Sequence, residues 1–159
     1  MNVPGLFDLR VDSAEWGSPE SWAGLCRRAL DTVQGVAPPP RPGEVCVLLT
    51  DDGAMRELNA RWRGRDKPTD VLSFPAAPED FGFLGDLALG HGVCASDAKA
   101  MGKPLTERMT HLIIHGYLHL IGHDHEQEAM AAQMEALEVE AMARLGLGDP
   151  YCVALDEER

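Results

Sequence analysis

The stretch LTERMTHLIIHGYLHLIGHDH, Leu105 to His125, decides the fold because it joins a long apolar stripe to a histidine-rich turn. Apolar residues recur at helical spacing from Leu105 to Leu120, which predicts a helix with one face in the core. Gly122 predicts the end of that helix, since glycine readily adopts the left-handed conformation that terminates helices. The residues expected to face inward are Leu105, Met109, Leu112, Ile113, Tyr117 and Leu120.

Two more helices are predicted on either side of this segment. Ser18 is expected to cap the first, with Pro19 at its first position, and the proline-rich VAPPPRPG (residues 36–43) ends it. The last runs from about Glu126 to Leu145, with its glutamates outside and Gly146 after its end. The inward residues are Trp22, Leu25, Cys26, Ala29, Leu30 and Val33 in the first helix, and Met130, Met134, Leu137, Ala141 and Leu145 in the last.

Three strands are predicted between these helices. They are EVCVLLT (residues 44–50), VLSF (residues 71–74, stopped by Pro75) and GDLALG (residues 85–90). Asp51 or Asp52 is expected to cap an intervening helix whose inner face carries Met55, Leu58 and Trp62, and a short helix is expected over residues 96–101. We therefore predict an α+β or α/β fold, a single domain over residues 1–159 with helices packed on one sheet.

Composition limits the classes of function. A chain of 159 residues that is 45% hydrophobic and 25% charged is typical of a globular domain. It has no apolar run near the ~20 residues needed to span a bilayer, and its N-terminal segment does not resemble a signal peptide, so we expect a cytoplasmic protein with no membrane partner. The net charge of −12 disfavours general adhesion to nucleic acid. Cys26 and Cys46 lie in apolar patterns and are expected to be buried rather than disulfide-bonded.

The histidines of the central segment predict a metal site. His115 and His119 are four residues apart, so both rings leave one helix face, and the turn at Gly122 can return His125 to the same point. Three imidazoles with an open fourth position are typical of a catalytic Zn²⁺ site, here with one ion per chain. The alternative, histidines that merely lie at the surface or in the core, is less consistent with three of them and a glycine turn.

The spacing H-x-x-x-H-x-x-G-x-x-H matches that of metzincin proteases, with one departure. Those enzymes have a glutamate general base directly after the first histidine, where this chain has Gly116. A metallopeptidase is therefore a disfavoured alternative. His111 is expected to line the cleft or support a ligand, and His123 is expected to stay outside the ligand set. Asp124 could orient a ligand histidine or cap the last helix.

A basic loop, RWRGRDKPTD (residues 61–70), is the local exception in an acidic chain. A solvated charge run is the simpler interpretation of Arg61, Arg63, Arg65 and Lys67, but Gly64 and Pro68 indicate a shaped backbone. Because guanidinium groups suit bidentate phosphate contacts, arginines beside a metal ion favour phosphodiester hydrolysis.

Several segments together resemble the YbeY family of bacterial endoribonucleases. They are RGRDKPTDVLSFP (residues 63–75), GDLAL (residues 85–89), ERMTHLIIHG (residues 107–116), HGYLHLIGHDH (residues 115–125) and LGLGDPY (residues 145–151). The resemblance covers the chain from about Glu44 to Tyr151 and is weak before it. It implies a small fold with a mixed four-stranded sheet, zinc ligands at His115, His119 and His125, and a functional arginine at Arg63. The family often has tyrosine where this chain has His123.

The resemblance also implies a function. It predicts a single-strand-specific, metal-dependent endoribonuclease that matures the 3′ end of 16S ribosomal RNA and takes part in ribosome quality control. The expected partners are ribosomal RNA and the small ribosomal subunit, and the acidic surface could also contact basic ribosomal proteins. The second alternative to the nuclease, besides the peptidase, is a ribosome-assembly module that binds without cutting.

Overall fold

The computed structural model describes residues 7–151, so Cys152 and the first six residues of the N-terminal segment lie outside it. Within the described residues, one four-stranded sheet is packed with five α-helices. In chain order the elements are β1 (Phe7–Val11), α1 (Glu20–Val36), β2 (Gly43–Thr50), α2 (Asp52–Arg63), β3 (Val71–Pro75), β4 (Gly82–Gly90), α3 (His91–Met101), α4 (Leu105–Leu120) and α5 (Glu128–Arg144). A short 3₁₀ turn at Ala14–Trp16 joins β1 to α1.

The sheet is mixed, with strand order β1-β2-β4-β3. β2 pairs parallel with both β1 and β4, whereas β3 pairs antiparallel with β4 and forms one edge. The predicted α+β fold with a mixed four-stranded sheet is therefore confirmed. β1 was not predicted, although Phe7, Leu9 and Val11 alternate with polar residues as a strand does.

The sheet buries both faces, because successive side chains of a strand point to opposite sides. Val47, Leu49, Leu87 and Leu89 join the large core under α1, α4 and α5. On the other side, Leu48 and Ala88 meet Met55 of α2 in a smaller core. The edge strand β3 is thus the boundary between the end of α2 and helix α4.

Helix α4 has the predicted bounds and is buried on most of its surface. It approaches the sheet closely at Gly116, where an added Cβ would lie 2.7 Å from Leu87 Cδ2 and 3.2 Å from Ser73 Oγ. The Ser73 hydroxyl donates to the Gly116 carbonyl at 3.1 Å, and the Tyr117 hydroxyl donates to the Ala37 carbonyl at 2.8 Å. These contacts fix the height and rotation of the helix that carries the histidines.

Several details differ from the sequence predictions. Helix α1 begins at Glu20, so the cap position is Pro19 rather than Ser18, and proline has no side-chain acceptor to cap the helix. Asp51 does cap α2, but Trp62 is exposed because it lies in the last turn, where Gly64 ends the helix. β4 and α3 both begin earlier than predicted, at Gly82 and His91.

Helix α5 departs from its prediction in one position that matters for the site. It spans Glu128–Arg144 and buries Met134 and Ala141 as expected, but it also buries Glu138. The prediction that the glutamates of this helix lie outside is therefore wrong at Glu138, which is 1% exposed.

The cysteines agree only in part with their sequence prediction. Cys26, Cys46 and Cys94 are free thiols; Cys26 is buried as expected, and burial raises its pKa to about 12, whereas Cys46 is only half-buried. In residues 7–151, no helix is both long and apolar enough to cross a bilayer.

Candidate metal centre

The last turns of α4 bring the first two candidate ligands together. His115 and His119 leave the same side of the helix, and their Nε2 atoms lie 3.1 Å apart. Two nitrogens that each lie roughly 2 Å from a tetrahedral zinc ion are separated by about 3.3 Å. The observed spacing is therefore close to that of two ligands on one ion.

Hydrogen bonds at the other ring nitrogens fix which atoms face the site. His115 Nδ1 lies 3.0 Å from a carboxylate oxygen of Glu138, and His119 Nδ1 lies 2.9 Å from the carbonyl oxygen of His123. Carboxylate and carbonyl oxygens only accept, so each Nδ1 carries the proton. In the neutral rings both Nε2 atoms then present lone pairs to each other, an arrangement that a cation between them stabilises.

His125 completes the cluster from the turn that follows α4. Gly122 has φ of +105°, which lets the chain reverse there. The His125 ring stacks 5.8 Å from that of His115 and meets the His119 ring edge-on at 5.1 Å. One ligand atom from each of the three histidines lies within 4.8 Å of the others. The structure thus brings together the three predicted ligands, and the donor set fits a zinc-like ion.

A buried carboxylate stands behind the cluster. Glu138 Oε2 accepts from His115 Nδ1 and lies 2.7 Å from His111 Nε2, while Oε1 accepts from the Tyr151 hydroxyl at 2.6 Å. Such a carboxylate behind a ligand histidine orients the ring and raises the basicity of its free nitrogen. This role of Glu138 was not predicted from the sequence, although the residue lies four positions after Met134 and three before Ala141 on the apolar stripe of α5.

The electrostatics favour the charge states that a metal site requires. Burial alone would raise the pKa of Glu138, but hydrogen bonds from His111, His115 and Tyr151 outweigh it and hold the pKa at about 2. Burial, followed by the neighbouring His115, lowers the pKa of His119. At neutral pH the carboxylate is therefore ionised and His119 is neutral.

The remaining polar residues of the turn have roles that differ in part from those expected. His111 lines the cavity, meets the His115 ring edge-on at 6.1 Å and contacts Glu138, so it supports a candidate ligand as expected. His123 contributes its carbonyl oxygen to His119, as a backbone group. Asp124 accepts from the amide of Glu126, before α5 begins, so it shapes the loop and does not cap the helix.

Arg63 belongs to a second wall of the cavity that contains the histidines. This cavity, of about 700 Å³, is lined by Arg63 and Ser73 as well as by His115, His119 and His125. Arg63 Nη2 donates to the Ser73 carbonyl at 2.7 Å across the edge strand, and its guanidinium lies 5.2 Å from the centre of the Phe74 ring. The predicted basic loop therefore does face the histidines, at Arg63.

A second arginine lines the same cavity in a different electrostatic state. Arg108 Nη2 donates to Asp70 at 2.8 Å and to Asp97 at 3.3 Å, so two carboxylates neutralise it. Arg63 has no carboxylate within ion-pair distance among residues 7–151. A phosphate that enters the cavity would therefore meet Arg63 as the available cation.

Gly116 lies where α4 approaches the sheet closely, which leaves little room for the glutamate that proteases have at this position. An added Cβ would lie 2.7 Å from Leu87 Cδ2 and 3.2 Å from Ser73 Oγ. A glutamate there would therefore require Leu87 to repack or α4 to shift.

Comparison with known proteins gives a consistent picture. The sequence profile of a family described as Endoribonuclease YbeY matches residues 10–146. The Endoribonuclease YbeY of Rhodopseudomonas palustris (strain BisB18) is 48% identical over 165 residues, which cover 99% of this chain and 96% of that protein. That of Chelativorans sp. (strain BNC1) is 44% identical over 150 residues, which cover 91% and 92%. A solution structure of a Thermotoga maritima protein has a TM-score of 0.57 at 23% identity, covers 92% of this chain and 99% of that one, and supports the fold alone.

Proposed function

This chain belongs to the YbeY family of endoribonucleases, and from that premise we propose that it hydrolyses single-stranded RNA with a zinc ion held by His115, His119 and His125. The observation that carries the proposal is the convergence of three histidine nitrogens and the Arg63 guanidinium on one cavity. A divalent cation bound there would supply Lewis-acid stabilisation of charge on a phosphoryl oxygen.

The residues of the chain would divide the work of phosphodiester hydrolysis. Glu138 and the His123 carbonyl hold the rings of His115 and His119 in the tautomer that presents Nε2. Arg63 would bind a non-bridging phosphate oxygen and stabilise the charge that grows there in the transition state. Two of its five N–H donors are used in contacts with Ser73 and Trp62, which orient the guanidinium and leave donors for the phosphate.

We further propose that the physiological substrate is ribosomal RNA in immature small ribosomal subunits, with cleavage toward the 3′ end of 16S RNA and a role in ribosome quality control. These finer assignments rest on the family, which would also place the protein in the cytoplasm. The net charge of −12 gives the acidic surface a means to contact basic ribosomal proteins, while the Arg63 side of the cavity receives RNA.

The test is incubation of metal-quantified protein with immature small subunits, followed by mapping of new RNA ends. We expect new ends that depend on the metal and disappear in Arg63→Ala. Particles that bind the protein but acquire no new ends would support an assembly module without catalysis. The chemistry of the new ends then identifies the nucleophile, because a 2′,3′-cyclic phosphate requires attack by the RNA 2′-hydroxyl.

A further inference from the structure

Trp62 is a large aromatic residue that the fold leaves exposed to solvent. It is 57% exposed, whereas Trp16 and Trp22 are 4% and 8% exposed and donate their indole N–H groups to backbone carbonyls. Burial of a large aromatic side chain is strongly favourable, so an exposed one next to a functional cavity indicates a binding role.

The ring of Trp62 is part of an ordered surface cluster. It meets Phe74 edge-on at 6.4 Å, the guanidinium of Arg61 lies 5.4 Å from its centre, and that of Arg63 lies 5.2 Å from the centre of Phe74. We call these four residues, Arg61, Trp62, Arg63 and Phe74, the Trp62 platform. Cations alternate with aromatic rings along it, which is the composition of surfaces that bind single-stranded nucleic acid.

The platform is continuous with the metal-site cavity. Arg63 belongs to both, because it lies over Phe74 on one side and lines the cavity with Ser73 on the other. A strand whose phosphate contacts Arg63 would therefore place a neighbouring nucleotide beside Phe74 and Trp62.

The backbone under the platform is held in place. Gly64 closes α2 in the left-handed conformation, and Asn59 donates to the Lys67 carbonyl at 2.9 Å across the loop. A pre-organised aromatic surface binds a base with little loss of conformational freedom, which favours affinity.

Charge identifies the partner. The chain carries a net charge of −12, yet neither Arg61 nor Arg63 has a carboxylate within ion-pair distance in the described part of the chain. The nearby Arg56 is instead paired with Asp66 at 2.7 Å. An unneutralised pair of arginines beside exposed rings suits a polyanion with flat, unpaired bases and disfavours a basic protein.

We propose that the Trp62 platform stacks an unpaired RNA base next to the phosphate held at Arg63, an inference that rests on the proposed nuclease function. Stacking on an aromatic side chain tolerates every base but requires that the base has left its own helix. The platform would therefore select single-stranded over double-stranded RNA without selecting a sequence.

The experiment measures binding separately from cleavage. A short, labelled 2′-O-methyl RNA, checked by gel to remain intact, is titrated with metal-loaded protein as a single strand, as a duplex, and as a set of strands that each lack one base. The proteins are wild type, Trp62→Leu, Trp62→Phe and the matched control Phe81→Leu, which removes an aromatic that is 87% exposed and lies outside the platform. Metal content and thermal melts confirm that each variant is folded.

We expect Trp62→Leu to weaken single-strand binding on the order of 10-fold, with little effect on the duplex. Trp62→Phe should recover most of the loss, and Phe81→Leu should change nothing. Removal of one particular base should weaken binding to the wild type but not to Trp62→Leu, since the lost contact is the same. Wild-type tryptophan fluorescence should be quenched by the intact strand and less by the strand that lacks this base.

Equal affinities of wild type and Trp62→Leu for the single strand would overturn the inference. That result would favour a protein partner as the binder of the exposed tryptophan. An equal loss on the duplex, or from Phe81→Leu, would overturn it as well, because the effect would not come from stacking. A parallel cleavage assay separates the two proposals. Base-dependent binding without RNA cleavage would refute the nuclease alone, and cleavage without base-dependent binding would refute the platform alone.

Discussion

The two walls of the cavity are built in opposite ways. The histidine wall, formed by α4 with Glu138 behind it, is largely buried. The Nδ1 atoms of His115 and His119, which face away from the cluster, are both hydrogen-bonded. The arginine wall, formed by the end of α2 and the edge strand β3, is exposed, and Arg63 is held by a single short hydrogen bond and a ring contact. The difference suits the two proposed tasks, since a metal ion requires fixed ligands whereas a flexible polymer requires an open surface.

The largest effect is expected when a ligand on the histidine wall is removed. His119→Ala should lose most of the bound metal and with it all measurable RNA cleavage, because two remaining ligands hold a labile ion weakly. Elemental analysis of the purified variant is the measurement. His123→Ala serves as the matched control and should keep its metal, since its backbone carbonyl, not its ring, contacts His119. Unchanged metal content in His119→Ala would remove it from the ligand set.

On the arginine wall, Arg63→Ala should keep both metal and fold but lose RNA cleavage on the order of 100-fold. Arg63→Lys should rescue poorly, because an ammonium group cannot reproduce the planar two-pronged contact. Arg65→Ala, in the same loop but outside the cavity lining, is the control. Cleavage rates and metal content are measured for each variant. A wild-type cleavage rate in Arg63→Ala would show that Arg63 takes no part in the cleavage step.

Glu138 tests whether the histidine wall depends on its buried support. Glu138→Gln should weaken metal binding roughly 10- to 100-fold, because an amide cannot accept from two imidazoles and a hydroxyl as a carboxylate does. Competition with a chelator of known affinity measures this. Glu140→Gln, on the same helix but paired with Arg144 at the surface, should leave the affinity unchanged.

The pKa of Glu138 predicts an acid dependence in the metal-free protein. Because its pKa is lowered from 4.5 to about 2, the ionised form stabilises the fold. This contribution is complete above about pH 4.5 and is lost as the pH falls toward 2. Wild type should therefore exceed Glu138→Gln in resistance to denaturant by an amount that shrinks over that range. A constant difference would show that the carboxylate is not stabilised in this way.

Tyr151→Phe should have the smallest effect. It removes one donor to Glu138 at 2.6 Å and keeps the ring beside His111. A loss of about 1.5 kcal/mol in the free energy of unfolding is expected for a hydrogen bond to an ionised carboxylate, with a weaker effect on metal affinity than that of Glu138→Gln. Denaturant titration measures it, and a loss as large as that of Glu138→Gln would mean that Tyr151 is a main support of the carboxylate.

Local patterns explain why the histidine wall could be predicted in part. The spacing of His115, His119 and the turn at Gly122 is set by one helix and its end, so sequence alone predicts that the rings converge. Glu138 belongs to the same wall but comes from another helix. Its burial depends on how α5 packs against α4, and in the sequence it is one glutamate among several on a helix expected to expose them.

The arginine wall was harder to predict because it depends on where helix α2 ends. Trp62 continues the helical spacing of Met55 and Leu58, but α2 ends one residue later, at Arg63, so its last turn lies past the sheet that buries Met55. The family resemblance implied a functional arginine at Arg63, but the sequence did not show where its loop lies relative to the histidines. The edge strand sets that position, because the Ser73 carbonyl accepts a hydrogen bond from the Arg63 guanidinium and the Ser73 hydroxyl donates to α4.

Gly116 limits how this histidine motif could be altered. A single substitution to glutamate would recreate the protease sequence pattern around the histidines, yet the Cβ of the new side chain would lie 2.7 Å from Leu87 Cδ2 in the core. Leu87 would have to repack, or α4 would have to shift, before the new carboxylate could be accommodated. Conversion of this motif to the protease pattern would therefore require changes in the core of the protein as well as at the histidines.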